Sequence, residues 1–516
     1  MKEDGGMNLD MKMKAQDRSS TTVMIEGHTL PVSTVSTTIQ MSHEQLHAII
    51  GPSSYRYNYS WPAVTSTNGF SPVYSIIFFH HHQPSLTTMV YTFTLPTSSH
   101  LSFQTFLSSS THPSLPQAAS TARHALRIAL KTHKRLPRGP QQDAHLSTIL
   151  NALNDYLPYL SALSHGLSGT AIGNTDNNSA EEVEITLRAE LESEWRATLS
   201  SSSSTLSLKG RPTTTGSTGR VKGHGIDFEI AFTLTTLGYV LSNLAHSTVV
   251  RTLYALKTPT PEQRTAAVQT ATKHLLQASA VHSYISSSQV TSVVPDIHPA
   301  AQTALSSLAL AEATLLAVLK DDSYVATCIQ SRNPNDKDWM IRAPEIPKVR
   351  AMLFARLCVR AAEYTEQATA GLGTVGAEGK AGVEDDLLKY ARVLGRVARA
   401  RACRSFGVDA ELAGKVGEGI AWLRAAKGVL GLRNGPAGVM DRSAKREKGF
   451  SKLKREWTER REERKMEKDA GGRERGEKGE LDPGDNAGRE EEGRVIEMLE
   501  TKWVRMNDTV SSLLPS

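Results

Sequence analysis

Apolar residues recur at three- and four-residue intervals through most of the chain, the period of helices with one buried face. Residues 1–88 lack this pattern: Ser, Thr, Met and His are scattered there without helical or strand period. Organised sequence begins at Met89, a candidate translation start, so 1–88 read as a disordered or spurious extension. Tyr91, Phe93 and Leu95 then alternate with polar residues up to Pro96, which predicts one short strand. Helical spacing follows in 118–131 (Ala122, Leu126, Ala129) and again through Leu146, Ile149, Leu153 and Leu157, with Asp143 at the expected N-cap. Between these two helices, 132–140 is a basic turn broken by Pro137, Gly139 and Pro140.

The middle of the chain divides less cleanly. Residues 166–180 are polar and loop-like, and 200–225 form a Ser/Thr/Gly-rich loop. In 182–199 two patterns compete: Val183, Ile185 and Leu187 alternate as in a strand, whereas Ala189, Glu190, Leu191 and Glu192 favour a helix. From there the helical pattern is continuous. Residues 226–244 are apolar on nearly every face, and 262–286, 299–319, 348–370, 383–405 and 410–430 complete the set. So many helices, with strands confined to the start, predict an all-α array. Beyond Val439 the character changes. Residues 442–480 alternate Lys/Arg with Glu/Asp and hold too few large apolar residues for a core, and 494–514 form a short amphipathic helix, either docked or partner-binding. The expected division is therefore 1–88, a helical domain over 89–440, and a charged tail over 441–516 ending in a short helix.

Composition adds limits on function. Hydrophobic residues make up 39 % and aromatic residues 6 % of the 516 positions, low for a chain folded throughout. The 59 basic residues face 53 acidic ones for a formal charge of +6, a mixed surface without the one-sided clustering of a nucleic-acid binder. Cys328, Cys358 and Cys403 have no paired spacing, which argues against a disulfide framework or zinc site and for a reducing compartment. With no apolar run of about 18 residues and no signal-peptide pattern, the expectation is a cytoplasmic protein.

Candidate chemistry is sparse. The triplet His80, His81 and His82 fits metal binding or a compositional accident. Gly371, Gly373 and Gly376 match the dinucleotide fingerprint, but a helix precedes them where that chemistry needs a strand. Glu229, inside an apolar helix, is either an acid of shifted pKa or a buried structural carboxylate answering a donor. No nucleophile, base and orienter can be assembled, so the sequence implies no enzyme, no metal and no cofactor.

Four segments in order are similar to the Bro-one domain of ALIX-type endosomal-sorting proteins. Ala271-Thr272-Lys273-His274-Leu275-Leu276-Gln277-Ala278-Ser279-Ala280 resembles that family's Ala-Ala-Lys-His-Tyr-x-x-Ala-Ser-Gly helix. Asp296-Ile297-His298-Pro299 with Leu308, Ala311, Glu312 and Ala313 resembles its Asp-(Ile/Leu)-Ser-Pro helix. Ala355-Arg356-Leu357 with Ala361-Ala362-Glu363-Tyr364, and then Gly417-Glu418-Gly419-Ile420-Ala421-Trp422-Leu423, resemble two further helices. The stretches 89–134, 225–232 and 502–509 resemble the branch of the family that serves fungal ambient-pH signalling, although Phe228-Glu229-Ile230 stands where the family has Tyr-Glu-Lys.

The resemblance implies a boomerang-shaped, solenoid-like helical domain with a short N-terminal strand. It also implies an adaptor of alkaline-pH signal transduction, recruited to the plasma membrane or an endosomal surface. Its partners would be a membrane-associated pH-sensing complex and the ESCRT-III polymer-forming subunit, whose C-terminal helix lies in an apolar groove. The adaptor would help to assemble the proteolytic complex that activates a pH-responsive transcription factor. Its groove residues would be Leu353 and Leu357, facing Ala317 with Leu316 and Val318 beside it. The alternative is a general endosomal-sorting factor for multivesicular bodies, which the lack of ALIX's V-shaped domain and proline-rich tail disfavours.

Overall fold

The computed structural model describes residues 22–25, 28–31, 90–169, 183–199, 220–253, 259–288, 294–330, 350–378, 383–432 and 487–513. His80 to His82, the charged run 442–480 and most of 1–88 lie outside them. The architecture is all-α with short strands. Helices α1 (Leu115–Arg135), α2 (Pro140–Ala144) and α3 (Leu146–Ser168) come first. The long array follows: α4 (Ile226–Leu253), α5 (Pro261–Ser287), α6 (Pro299–Asp321), α7 (Ser323–Gln330), α8 (Ala351–Glu378), α9 (Asp385–Leu412) and α10 (Val416–Leu430). A last helix, α11 (Arg489–Leu513), returns to it.

Local chemistry sets these boundaries. Thr260 caps α5 by accepting from the Gln263 backbone N–H at 3.2 Å, while the Gln263 side chain accepts from the Thr260 N–H at 3.0 Å, and Pro261 supplies the first helical residue. The imidazole of His298 caps α6 ahead of Pro299, and Gly431 ends α10 in the left-handed conformation. The α4 helix is buried on nearly all sides, as its uniform apolarity predicts. Among the described residues one helix, α6, is long and apolar enough to cross a membrane, where no such run was expected from sequence; 72 % of its apolar window is buried within the fold, between α5 and α8.

Several expectations need correction. The alternation of Tyr91, Phe93 and Leu95 does bury Phe93 and Leu95, but no strand among the described residues pairs with the segment. Side chains take the place of the neighbouring strand. Asn243 of α4 both accepts from the Phe93 N–H and donates to the Phe93 carbonyl, each at 2.8 Å, and Glu312 of α6 accepts from the Tyr91 N–H at 2.9 Å. Asp143 lies within α2, and His145 occupies the position before α3. Strands also continue well past the start. In sequence order they are β1 (Thr22–Ile25), β2 (His28–Pro31), β3 (Thr97–Ser98), β4 (Leu107–Ser109), β5 (Ile185–Leu187), β6 (Glu192–Arg196) and β7 (Arg220–His224). They form an antiparallel β1–β2 hairpin where no period was read, a β3–β6–β7 sheet and a β4–β5 pair. The ambiguous 182–199 region thus contains two strands, and β7 lies inside the expected Ser/Thr loop.

The terminal helix packs on the array. Val495, Ile496, Leu499 and Trp503 of α11 are buried, and the Trp503 ring sits against Gly407 of α9 and Gly419 of α10, where added Cβ atoms would stand 3.4 and 3.2 Å from it. A fully buried ion network fixes the contact. Arg404 of α9 bonds Glu492 of α11 at 2.5 Å and Asp322, the residue between α6 and α7, at 2.5 Å; Arg401 bonds Glu492 at 3.1 Å. Glu500 adds Lys427 at 2.5 Å and Arg424 at 3.2 Å.

Candidate partner-helix groove

Two pairs of contacts set the register of the central helices. Ser279 meets Ser306 at 2.9 Å and His282 meets Gln302 at 2.7 Å, so α5 runs antiparallel to α6. Arg350, just before α8, bonds Asp321 at the end of α6 at 2.8 Å, while Gly371 lies against Ala304, so α8 is antiparallel to α6 on its other side. At 1.5 Å rise per residue this brings Leu353 and Leu357 level with the final turns of α6, around Ala317.

At that level α5 and α6 enclose a groove of about 630 Å³, lined by Val268, Thr272, Lys273, Leu276, Ala317 and Lys320 among others. Leu276 is 49 % exposed and Leu353 is 49 % exposed, whereas Leu357 is half-buried against the core. Of the three α6 residues expected to face a partner, only Ala317 reaches the surface. Leu316 and Val318 are fully buried, because residues one apart on a helix point about 100° from each other. Leu353 and Ala317 are thus exposed, while Leu316 and Val318 belong to the core.

Leu276, which lines the same groove, was not among the residues expected from sequence, though its signal was present. Ala271, Leu275, Ala278 and His282 form the buried stripe of α5, and Leu276 stands off that stripe beside Leu275. The lining carries charge: Lys273, Lys320 and Asp321 border the groove, and Asp321 is paired with Arg350 at 2.8 Å.

The catalytic alternatives do not assemble. Glu229 is wholly buried and surrounded by donors: Arg123 Nε at 2.7 Å and Nη2 at 3.2 Å, Trp195 Nε1 at 2.8 Å and the Tyr156 hydroxyl at 3.1 Å. Burial alone would push its pKa up, but the Arg123 charge and these hydrogen bonds hold it below the usual carboxylate value. It is a structural carboxylate joining α1, α3, β6 and α4. Gly371 and Gly373 lie inside α8, where the helix's own hydrogen bonds occupy the backbone amides a phosphate would need. Among the described residues no group of three or more His, Cys, Asp or Glu side chains could hold a metal ion. Burial raises the thiol of Cys328 to about 11 and that of Cys358 to about 12, away from reactivity.

Comparison with known proteins gives a consistent family. The BRO1-like domain family matches residues 187–469. The pH-response regulator protein palC of Emericella nidulans is 67 % identical over 440 residues, which span 83 % of this chain and 85 % of that protein. Among solved structures, the ALIX BRO1 CHMP4C complex shares 16 % identity over 67 % of this chain and 80 % of that one, with a TM-score of 0.40. A Bro1 domain described as the basis of endosomal targeting shares 13 % identity over 81 % of this chain and 99 % of that one, with a TM-score of 0.41. The family match over more than half of the chain and the identity to palC agree: the chain belongs to the BRO1-like domain family, in close kinship with a fungal pH-response regulator.

Proposed function

We propose that this protein is a non-enzymatic adaptor of ambient-pH signalling. In this reading it holds the C-terminal helix of an ESCRT-III polymer-forming subunit in the groove beside Ala317. It acts on the cytoplasmic side, at plasma membrane or endosome, alongside a pH-sensing complex, and helps to assemble the protease that activates a pH-responsive transcription factor. The kinship with palC supports the signalling role. The observation that carries the partner site is the pair of exposed leucines, Leu276 and Leu353, on either side of a small residue on the intervening helix. A helix-in-groove partner uses such anchors, and a small central residue lets its backbone come close. Lys273 and Lys320 on the rim favour a partner with acidic flanks, whose affinity falls with added salt.

The decisive substitution is Leu353→Asp. It puts a carboxylate in the apolar contact and should weaken binding by about 2–4 kcal/mol, roughly 30- to 1000-fold, with an unchanged melting curve because Leu353 adds little to the core. Titration of the full chain with the partner's C-terminal helix measures the first, circular dichroism the second. Undiminished binding by a folded variant would remove the groove assignment. A deletion strain that grows as well at alkaline as at acid pH would remove the signalling role.

A further inference from the structure

The basic turn after α1 was legible in sequence as a solvated connection or an anion contact, and the fold adds to it. The last three turns of α1 present Arg127, Lys131, Lys134 and Arg135 along one side of the helix. The β3–β6–β7 sheet then brings Arg196 and Arg220 beside them. These two arginines, far apart in sequence, are direct cross-strand partners, an arrangement in which like charges repel. Burial together with Arg127, Arg220 and Arg135 holds the Lys131 ammonium below its usual pKa, and burial with Arg196 and Arg220 does the same for Lys134. On the sheet Glu194 stands 3.4 Å from Arg220, and Glu192 and Glu190 lie 2.6 Å from Lys222 and 3.3 Å from His224, so the excess of these six cations is concentrated at the α1 end of the face. The patch is thus a concentration of like charge assembled from two separate segments.

Ile128 stands in the same stripe, three residues before Lys131 and seven before Arg135, and is 51 % exposed. An exposed branched apolar side chain gains nothing from a phosphate polymer, but it gains free energy on entering the interface of a bilayer whose headgroups neutralise the cations around it. We propose that the α1–β6–β7 face is a membrane-apposition surface that takes anionic lipid headgroups, with Ile128 as the inserted apolar residue. It lies on elements other than α5, α6 and α8, so the molecule could hold a bilayer and a partner helix together. The inference does not depend on the groove assignment.

Flotation of the full chain with vesicles tests it. Vesicles of phosphatidylcholine with about 30 % phosphatidylserine should carry the protein up at about 0.1 M salt, pure phosphatidylcholine vesicles should not, and about 0.5 M salt should release it. Reversing three cations (Lys131→Glu, Lys134→Glu and Arg135→Glu together) should lower partitioning at least about 100-fold, at about 1 kcal/mol per cation near the surface, without lowering the melting temperature, because repulsion is relieved. Ile128→Ser leaves every charge in place and should lower partitioning about fivefold. Failure of the parent protein to float with anionic vesicles would overturn the proposal. So would undiminished partitioning of the folded triple variant, or tighter binding to a short DNA duplex than to anionic vesicles at the same salt.

Discussion

Glu312 shows how one buried carboxylate ties stability to pH. Its Oε1 accepts from the Tyr390 hydroxyl at 2.7 Å and from the Tyr91 N–H at 2.9 Å, and no cation among the described residues pairs with it. Burial therefore dominates, opposed by those two hydrogen bonds, and raises its pKa to about 8. Between roughly 4.5, where the unfolded chain loses this proton, and about 8, where the folded one does, the folded state binds more protons, so stability falls as pH rises. Below that window and above it the contribution is constant. Asp296, raised to about 6, acts in the same sense at lower pH, and His282, lowered to about 4, acts in the opposite sense as pH falls below 6.5. Above pH 6.5 Glu312 is the one of these three still titrating. Glu312→Gln mimics the protonated form and should remove the slope there. Urea melts at pH 6.5 and 8 should show the parent losing about 2 kcal/mol more than the variant, and equal losses would contradict the buried, proton-bound carboxylate.

At the level of single elements, helices were legible in sequence wherever an apolar stripe had to face a neighbour, and less legible where hydrogen bonds crossed the chain. Residues 262–286 and 299–319 match α5 and α6 to within two residues at each end. The segment around Phe93 has the period of a strand because its side chains alternate between core and solvent, yet its backbone partner is an asparagine on α4, which no local pattern announces. The β7 strand was hidden because its pairing with β6 is non-local and its composition is basic. Of the candidate groove, the resemblance offered Leu353 and Ala317, and the helical wheel of α5 offered Leu276 as an exposed position. Which of the leucines stay exposed depends on how α5, α6 and α8 pack.

The same distinction governs α11. Its apolar face was evident, but whether it docks depends on Arg401 and Arg404, which sit on a different helix and are fully buried. Burial lowers the pKa of an arginine and neighbouring carboxylates raise it; at Arg404, Asp322 and Glu492 outweigh the burial. Removing one partner of such a network leaves an uncompensated charge, which costs more than the network contributes. Glu492→Gln should therefore destabilise the protein by about 3–5 kcal/mol in a urea melt. A loss under about 1 kcal/mol would mean that α11 lies against the array without being needed by it.

Across the whole molecule, helices α4, α5, α6, α8, α9 and α10 pack mainly on their neighbours in this order. An array of that kind tends to unfold piecemeal, since each unit is stabilised by the next. Two features bridge it. The Arg404 network joins the α6–α7 junction to α9 and α11. The extended segment from Val90 to Leu95 reaches Asn243 on α4 and Glu312 on α6, which lie 150 and 221 residues away in sequence, and Glu312 in turn holds Tyr390 of α9. The segment acts as a strap across three helices, and Asn243 is its tightest fastening because one side chain satisfies both the N–H and the carbonyl of Phe93. Asn243→Ala leaves both groups buried and unpaired, which costs about 1–3 kcal/mol for each. If the strap couples the α4 end to the α9 end, the parent should unfold in one transition by near-ultraviolet circular dichroism and by tryptophan fluorescence alike. In Asn243→Ala the fluorescence of Trp195, near α4, should then change at lower urea than that of Trp422, on α10, when each is followed in a variant lacking the other tryptophans. Coincident transitions in the Asn243→Ala background would show that α5 to α9 packing alone makes the array cooperative, and that the strap only covers its surface.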